Sequence, residues 1–195
     1  MKKIYFDGCS YTFGAELYDR LNSRYSAIVS KELDAEEYNI AMPGSSNRRI
    51  ARNLIEHDLD QYDFFVIQMT KRLRTEYYDG SSWQKVKFNP KTNDVGNKNP
   101  QKEFWTKYYK EIYHDEYGRI DEIMFYTLIR TLLKDKPHVI IGLTHRGTIF
   151  APSCQVPVDI VYAKGSLPYA PLGHPNEEGH NIIARDILST HENIL

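Results

Sequence analysis

An apolar run, Lys3 to Phe6, opens the chain and breaks off into Asp7-Gly8-Cys9-Ser10-Tyr11-Thr12-Phe13-Gly14, small and hydroxylated residues ahead of a helical pattern. β-Branched and aromatic residues, then glycine, then helical periodicity predict a strand-to-helix turn with Ser10 on it. That restricts the fold class. A strand feeding directly into a helix is the repeating unit of a parallel α/β sheet. Ligands bind in the crevice at the carboxyl ends of such strands, and the first turn of the following helix offers unpaired N–H groups to negative charge. Ser10 therefore stands where a nucleophile is useful. On these residues alone, a glycine-rich turn whose serine merely caps a helix fits equally well.

The remaining chain repeats the same alternation. Ala15 to Leu33 carries Leu17, Leu21, Tyr25, Ile28, Val29 and Leu33 at helical spacing, with Asn22-Ser23 as a point of interruption. Glu37 to Ala41 reads as a strand, Arg48 to Asp58 as a helix, and Tyr62 to Thr70 as a central strand, apolar almost throughout. Arg119 to Lys136 is an amphipathic helix stopped by Pro137, and His138 to Thr144 is a further buried strand ending in Thr144-His145-Arg146-Gly147. Ile149 to Ala170 reads as irregular. The 195 residues suit one domain, 1–195, with one insertion at about 71–117.

That insertion is chemically distinct. Residues 71–110 hold ten Lys and Arg against four Asp and Glu, a net +6, which leaves −7 for the rest of a chain whose formal charge is −1. Both tryptophans, Trp83 and Trp105, lie in it with seven Tyr and Phe residues between Tyr77 and Tyr113. Two readings follow: a lid that stacks on sugar rings or attracts an anionic substrate, or the small core of a cap with a solvated basic face. The near-neutral total argues against general nucleic-acid binding, and no apolar run reaches the roughly 20 residues needed to span a bilayer. Asp7 cuts the first apolar run too short for a signal-peptide core, so a cytoplasmic protein is expected. Cys9 and Cys154 match no metal spacing and are read as reduced thiols. No metal and no cofactor is implied by any His, Asp or Glu spacing.

Three motifs sharpen the reading. Gly8-x-Ser10-x-Thr12-x-Gly14 resembles the first block of the SGNH (GDSL-type) hydrolases, with Cys9 where that family usually has Asp. Asn39-Ile40-Ala41-Met42-Pro43-Gly44-Ser45-Ser46-Asn47 resembles the second, whose glycine gives its N–H to an oxyanion hole. His174-Pro175-Asn176-Glu177-Glu178-Gly179-His180 resembles the fifth, whose His is the general base. They occur in family order over almost the whole chain. The resemblance implies a three-layer α/β/α sandwich with a parallel sheet of about five strands, flavodoxin-like, plus the inserted lid. It also implies ester hydrolysis through an acyl-serine, with Ser10 and His174 catalytic and Ser10, Gly44, Thr70 and Gln68 as oxyanion donors. An imidazole is needed because a serine hydroxyl is a weak nucleophile without an adjacent base.

Two departures stand out. The third block's Gly-x-Asn-Asp is replaced by Gln68-Met69-Thr70, and the acid expected three residues before the His is Pro171. A Ser–His dyad is therefore expected, with a carbonyl near Pro171 or Leu172, or else Asp159 or Glu177, facing the second ring nitrogen. Cys9, Asn47, Arg74 and His145 are secondary candidates for substrate contact, and His180 is read as helix packing. The pattern is similar to SGNH-type proteins of phage and bacterial genomes, with a small-molecule or carbohydrate ester as substrate, an O-acetyl sugar preferred. The competing readings are a sugar O-acyltransferase, a catalytically degenerate binding module for carbohydrate or protein, and an assembly protein that uses the insertion as an interface.

Overall fold

The computed structural model describes residues 1–89, 92–95, 99–144, 158–163 and 166–192. In chain order the strands are β1 (Lys2–Asp7), β2 (Ala35–Asn39), β3 (Phe64–Gln68), β4 (Arg74–Tyr78), β5 (Trp83–Asn89), β6 (Asp94–Val95), β7 (His138–Thr144) and β8 (Ile160–Ala163). The helices are α1 (Ser10–Phe13), α2 (Arg20–Ser23), α3 (Tyr25–Glu32), α4 (Asn47–Glu56), α5 (Lys102–Glu111), α6 (Asp115–Leu132) and α7 (Glu177–Glu192). Five strands form a parallel sheet in the order β2-β1-β3-β7-β8.

Side-chain alternation decides which residues meet which helical layer. Ile4, Phe6, Phe64, Val66, Val139 and Ile141 point to one face and pack with Tyr25 and Val29 of α3 and Ile183 and Ile187 of α7. Tyr5, Phe65, Ile67 and Ile140 point to the other, against Ile50 and Leu54 of α4 and Ile129 of α6. Every residue of β3 is buried, as a central parallel strand covered on both faces must be. This is the three-layer α/β/α sandwich of flavodoxin-like order. From β1 the chain crosses outward to β2 and then back to β3, so the carboxyl ends of β1 and β3 flank the switch point where such sheets bind ligands.

Two expectations need correction. The helix expected over 15–33 is broken: Gly14 adopts a left-handed conformation (φ 79°) and caps α1, Glu16 follows at φ 72°, and helix resumes only at Arg20. The segment expected to be irregular from Ile149 to Ala170 contains β8, a fifth strand of four residues. Its identity comes from pairing with β7, Ile141 opposite Ile160 through Thr144 opposite Ala163.

The insertion between β3 and β7 is a three-stranded antiparallel sheet, β4-β5-β6, covered by α5. Six of its aromatic residues turn inward, while Tyr78, Trp83 and Phe104 stay exposed. Leu73, Val86, Val95 and Tyr109 form a separate small core with Tyr77, Phe88, Trp105, Tyr108 and Tyr113 packed on it. Trp83 is partly exposed and lies under the Arg52 guanidinium at 4.6 Å. Arg52 also holds Glu76 of β4 through Nε and Nη2 (2.8 and 3.2 Å), and Arg72 pairs with Glu122 of α6. These buried ion pairs set the insertion's orientation on the main sheet, because leaving either partner alone would strand a desolvated charge.

Candidate active site

The turn after β1 is held from several directions. Gly8 is required there: a Cβ would lie 2.2 Å from Thr12 Oγ1 and 2.8 Å from Gln68 Cβ. Gln68, the last residue of β3, accepts the N–H groups of Cys9 and Thr12 (3.3 Å each) and the Thr12 hydroxyl (2.8 Å) on its Oε1. Its Nε2 donates to Cys9 Sγ (3.1 Å) and the Met69 carbonyl (3.2 Å). Asn39, ending β2, donates to the Thr12 carbonyl (2.9 Å) and Ser26 Oγ (2.7 Å), and Tyr25 donates its phenol to Thr12 (2.7 Å). Below the turn, buried Asp7 accepts from Gly8 N, Arg49 and Asn53. Burial outweighs those partners and raises its pKa to about 6. The turn delivers Ser10 to the first position of α1, where N–H groups lack helical partners.

Across the crevice, the loop before α7 carries His174. Its Nδ1 lies 2.5 Å from Glu16 Oε2, and the same carboxylate accepts the backbone N–H groups of Leu172 (2.8 Å) and His174 (3.0 Å). Burial opposes the charge on Glu16, but the Leu172 N–H and the imidazole and N–H of His174 outweigh it, holding the carboxyl below the usual range. A carboxylate only accepts, so Nδ1 carries a hydrogen, which in a neutral imidazole leaves Nε2 as the acceptor. Tyr11 braces the loop: its phenol donates to the Gly173 carbonyl (3.1 Å), and its ring meets the imidazole edge-on at 5.7 Å. A carboxylate, rather than a backbone carbonyl near Pro171 or Leu172, thus faces the Nδ1 of His174. Asp159 instead accepts from Ile140 N, Glu177 lies exposed at the start of α7, and the carboxylate at His174 is that of Glu16.

Ser10, Tyr11, Thr70, Lys71, Arg74 and His174 line one cavity of about 170 Å³, with Cys9 and Gln68 also on its wall. A wider groove of about 430 Å³ between α3 and α7 holds none of the candidate residues. Ser10 Oγ faces Cys9 Sγ at 3.9 Å. The Thr70 hydroxyl is buried without a partner, while its backbone is clamped by Asn47, which accepts Thr70 N–H (2.7 Å) and donates to its carbonyl (3.2 Å). Burial works against ionising Cys9, but Arg74, the Tyr11 N–H and Gln68 together hold its thiol below the ordinary range.

Several expected roles change with this geometry. Gln68 already uses its Nε2 on Cys9 and Met69, so it positions the turn rather than donating to an oxyanion. Gly44, in a positive-φ turn (79°), is not on the cavity wall: a Cβ there would meet Lys87 Cδ at 2.6 Å. Asn47 holds Thr70 and also lies off the wall. Arg74 and Cys9 line it. His145, with its neighbour Arg146, and Cys154 lie outside the described residues. His180 is fully buried, stacked on Tyr25 and accepting its N–H at Nδ1 (3.1 Å), and burial lowers its pKa to about 4.

Sequence reasoning missed Glu16 because Ala15 to Leu33 reads as helix from its start, with its one point of interruption at Asn22-Ser23. The available signal was Gly14, a residue type that ends helices in a left-handed cap, followed at once by an acid. The aromatic residues of the insertion stay off the cavity wall; its contributions there are Lys71 and Arg74.

No protein-family model matches the sequence, and no curated protein matches it. Solved structures do. A member of the lipolytic protein G-D-S-L family from Veillonella parvula DSM 2008 aligns over 97% of each chain at 13% identity, with a TM-score of 0.53. A family two carbohydrate esterase from Clostridium thermocellum, in complex with cellohexaose, aligns over 98% of this chain and 64% of its own at 14% identity and a TM-score of 0.54. The acetyl xylan esterase Est2A from the rumen bacterium Butyrivibrio proteoclasticus gives 98%, 64%, 11% and 0.52. The chain thus spans just under two thirds of the length of these carbohydrate esterases. In fold it is similar to G-D-S-L lipolytic proteins and family two carbohydrate esterases: one five-stranded parallel sheet between two helical layers.

Proposed function

We propose that the protein is a serine ester hydrolase in which Ser10 is the nucleophile, His174 the general base and Glu16 the residue that orients the imidazole. The observation that carries this reading is the shared cavity wall of Ser10, Thr70 and His174, with a carboxylate on His174 Nδ1. With Nδ1–H held by Glu16, Nε2 is the free base. Substrate entry turns the Ser10 hydroxyl from Cys9 toward that nitrogen; such hydrogen bonds commonly tighten only in the complex. Ser10 Oγ attacks the ester carbon as its proton passes to Nε2. The tetrahedral intermediate then collapses, and the alcohol leaves with that proton. Water next attacks the acyl-serine, giving its proton to His174, and the acid departs as Ser10 is restored.

The Ser10 N–H and the unpartnered Thr70 hydroxyl supply donors for the oxyanion, each such donor contributing on the order of 3 kcal/mol in a preorganised site. Thr70 thereby takes over from the side-chain amide missing after β3. A cavity near 170 Å³ has room for a small acyl group and part of its alcohol, well below the roughly 300 Å³ at which drug-sized pockets begin. That favours a short ester, an acetyl group first, and the carbohydrate esterases of similar fold support a sugar as the alcohol.

Hydrolysis of p-nitrophenyl acetate and butyrate by wild type and Ser10→Ala, with fluorophosphonate labelling followed by intact mass, is the test. Turnover favouring acetate, one label per chain, and loss of both in Ser10→Ala are expected. A wild type that neither turns over nor labels would sink the hydrolase reading.

A further inference from the structure

We infer that the ester attacked by Ser10 carries a fixed anionic group, a carboxylate or a phosphate, which Lys71, Arg74 and Lys87 bind beside the scissile bond. The inference rests on the hydrolase reading above and adds a substrate class to it. Elsewhere several arginines are paired with carboxylates: Arg24 holds Glu37, Arg49 holds Asp7, Arg52 holds Glu76 and Arg72 holds Asp115. At the cavity the pattern reverses. Lys71 and Arg74 line its wall; Lys87 of β5 stands off that wall, its Nζ 3.2 Å from where a Cβ on Gly44 would lie, near enough for its charge to bear on Lys71 and for that of Arg74 to bear on it. Among the described residues, no carboxylate lies within ion-pair distance of any of the three; Arg74 has the Ser45 carbonyl, at 3.4 Å, and the Cys9 thiol.

Such a cluster is costly when empty. Desolvation lowers the pKa of Lys71 and of Lys87, with repulsion from Arg74 adding to it at both, from Lys87 at Lys71 and from Lys85 at Lys87. Cys9, the one group that eases both, supplies at most a single negative charge against three positive ones. The orphaned Thr70 hydroxyl on the same wall is a second polar group awaiting a ligand atom. Arginine and lysine donors together suit the oxygens of a carboxylate or phosphate. The cations come from the insertion and the strand-β3 exit, whereas Ser10 and His174 come from the sheet and the α7 loop. The charged part of the substrate is therefore held on the insertion side of the reacting carbon.

Matched esters decide the matter. The kcat/KM for 4-acetoxybenzoate and for 4-acetoxyphenyl phosphate would be compared with that for methyl 4-acetoxybenzoate, in wild type and Lys71→Gln/Lys87→Gln. Expected is a preference for at least one anionic ester of about tenfold or more, the size of one charge-assisted hydrogen bond, that collapses in the double variant and shrinks with added salt. The arm that wins identifies carboxylate or phosphate. In parallel, calorimetry on Ser10→Ala would follow benzoate and phenyl phosphate, with binding expected and lost when both lysines are replaced. Anion binding without turnover of any ester would overturn the hydrolase reading and the ester assignment with it, leaving only an anion site at the three cations. Turnover of the neutral ester with no anionic preference and no anion binding would overturn the inference alone.

Discussion

The two sides of the cavity are built differently. The Ser10 side is buried and held repeatedly: Gln68 binds three groups of the turn, Asn39 and Tyr25 add two more bonds, and Asp7 anchors it to α4. The His174 side is a surface loop whose tip, Leu172, is 83% exposed, and which hangs on Glu16 and Tyr11. Buried backbone groups that lose a partner cost stability, while an exposed loop that loses one is rescued by water. The Ser10 turn is thus part of what makes the fold stable. The His174 loop leans on that turn through Tyr11 and Glu16, but only by its outer contacts, so the proposed catalysis and the stability are expected to be separable by mutation.

The largest effect that checks this contrast is Glu16→Ala. It should lower kcat by about 10³-fold through loss of imidazole orientation, yet leave the denaturant midpoint nearly unchanged; a large fall in stability would break the contrast. Gln68→Ala should do the reverse. Removing the acceptor of three buried donors is expected to destabilise by about 3 kcal/mol in urea titration, with any activity loss following the unfolded fraction. Thr70→Val keeps the shape and deletes an unpartnered hydroxyl, so stability should hold while kcat falls about 10- to 100-fold with KM little changed.

The smallest effect is in pH, and it too has two sides. Asp7, raised to about 6, binds its proton more tightly in the folded state, so its contribution is lost as pH rises from about 4 to 6. His180, lowered to about 4, gives the opposite slope: its contribution is lost as pH falls from 6.5 toward 4. The windows overlap, and wild type should show a nearly flat stability between pH 4 and 6. His180→Asn should expose the Asp7 slope, a fall of roughly 2 kcal/mol with rising pH. A flat profile in that variant would show that Asp7 is ionised throughout, held by Arg49.

Much of the fold was legible because burial on both faces leaves an unmistakable pattern. Phe64 to Gln68 and His138 to Thr144 are long apolar runs bounded by turn signals, and each is a strand of the main sheet. Ile160 to Ala163 was not legible: four residues beside a proline-rich stretch carry no periodicity, and only pairing with β7 makes them a strand. The aromatic insertion could be read either as a lid or as a core. Composition does not distinguish the two, since stacking on a ligand and stacking on Tyr109 require the same side chains.

The order of strand, turn and helix, the residues Ser10 and His174, and their delivery to one end of a parallel sheet were determined by the sequence itself. Hydrophobic periodicity and glycine placement are local properties of the chain. The partner of His174, the engagement of Gln68, the unpartnered state of Thr70 and the gathering of Lys71, Arg74 and Lys87 were decided by tertiary structure alone. Each depends on side chains from distant segments meeting across the crevice, Glu16 and His174 being 158 residues apart, and no local pattern records such a meeting.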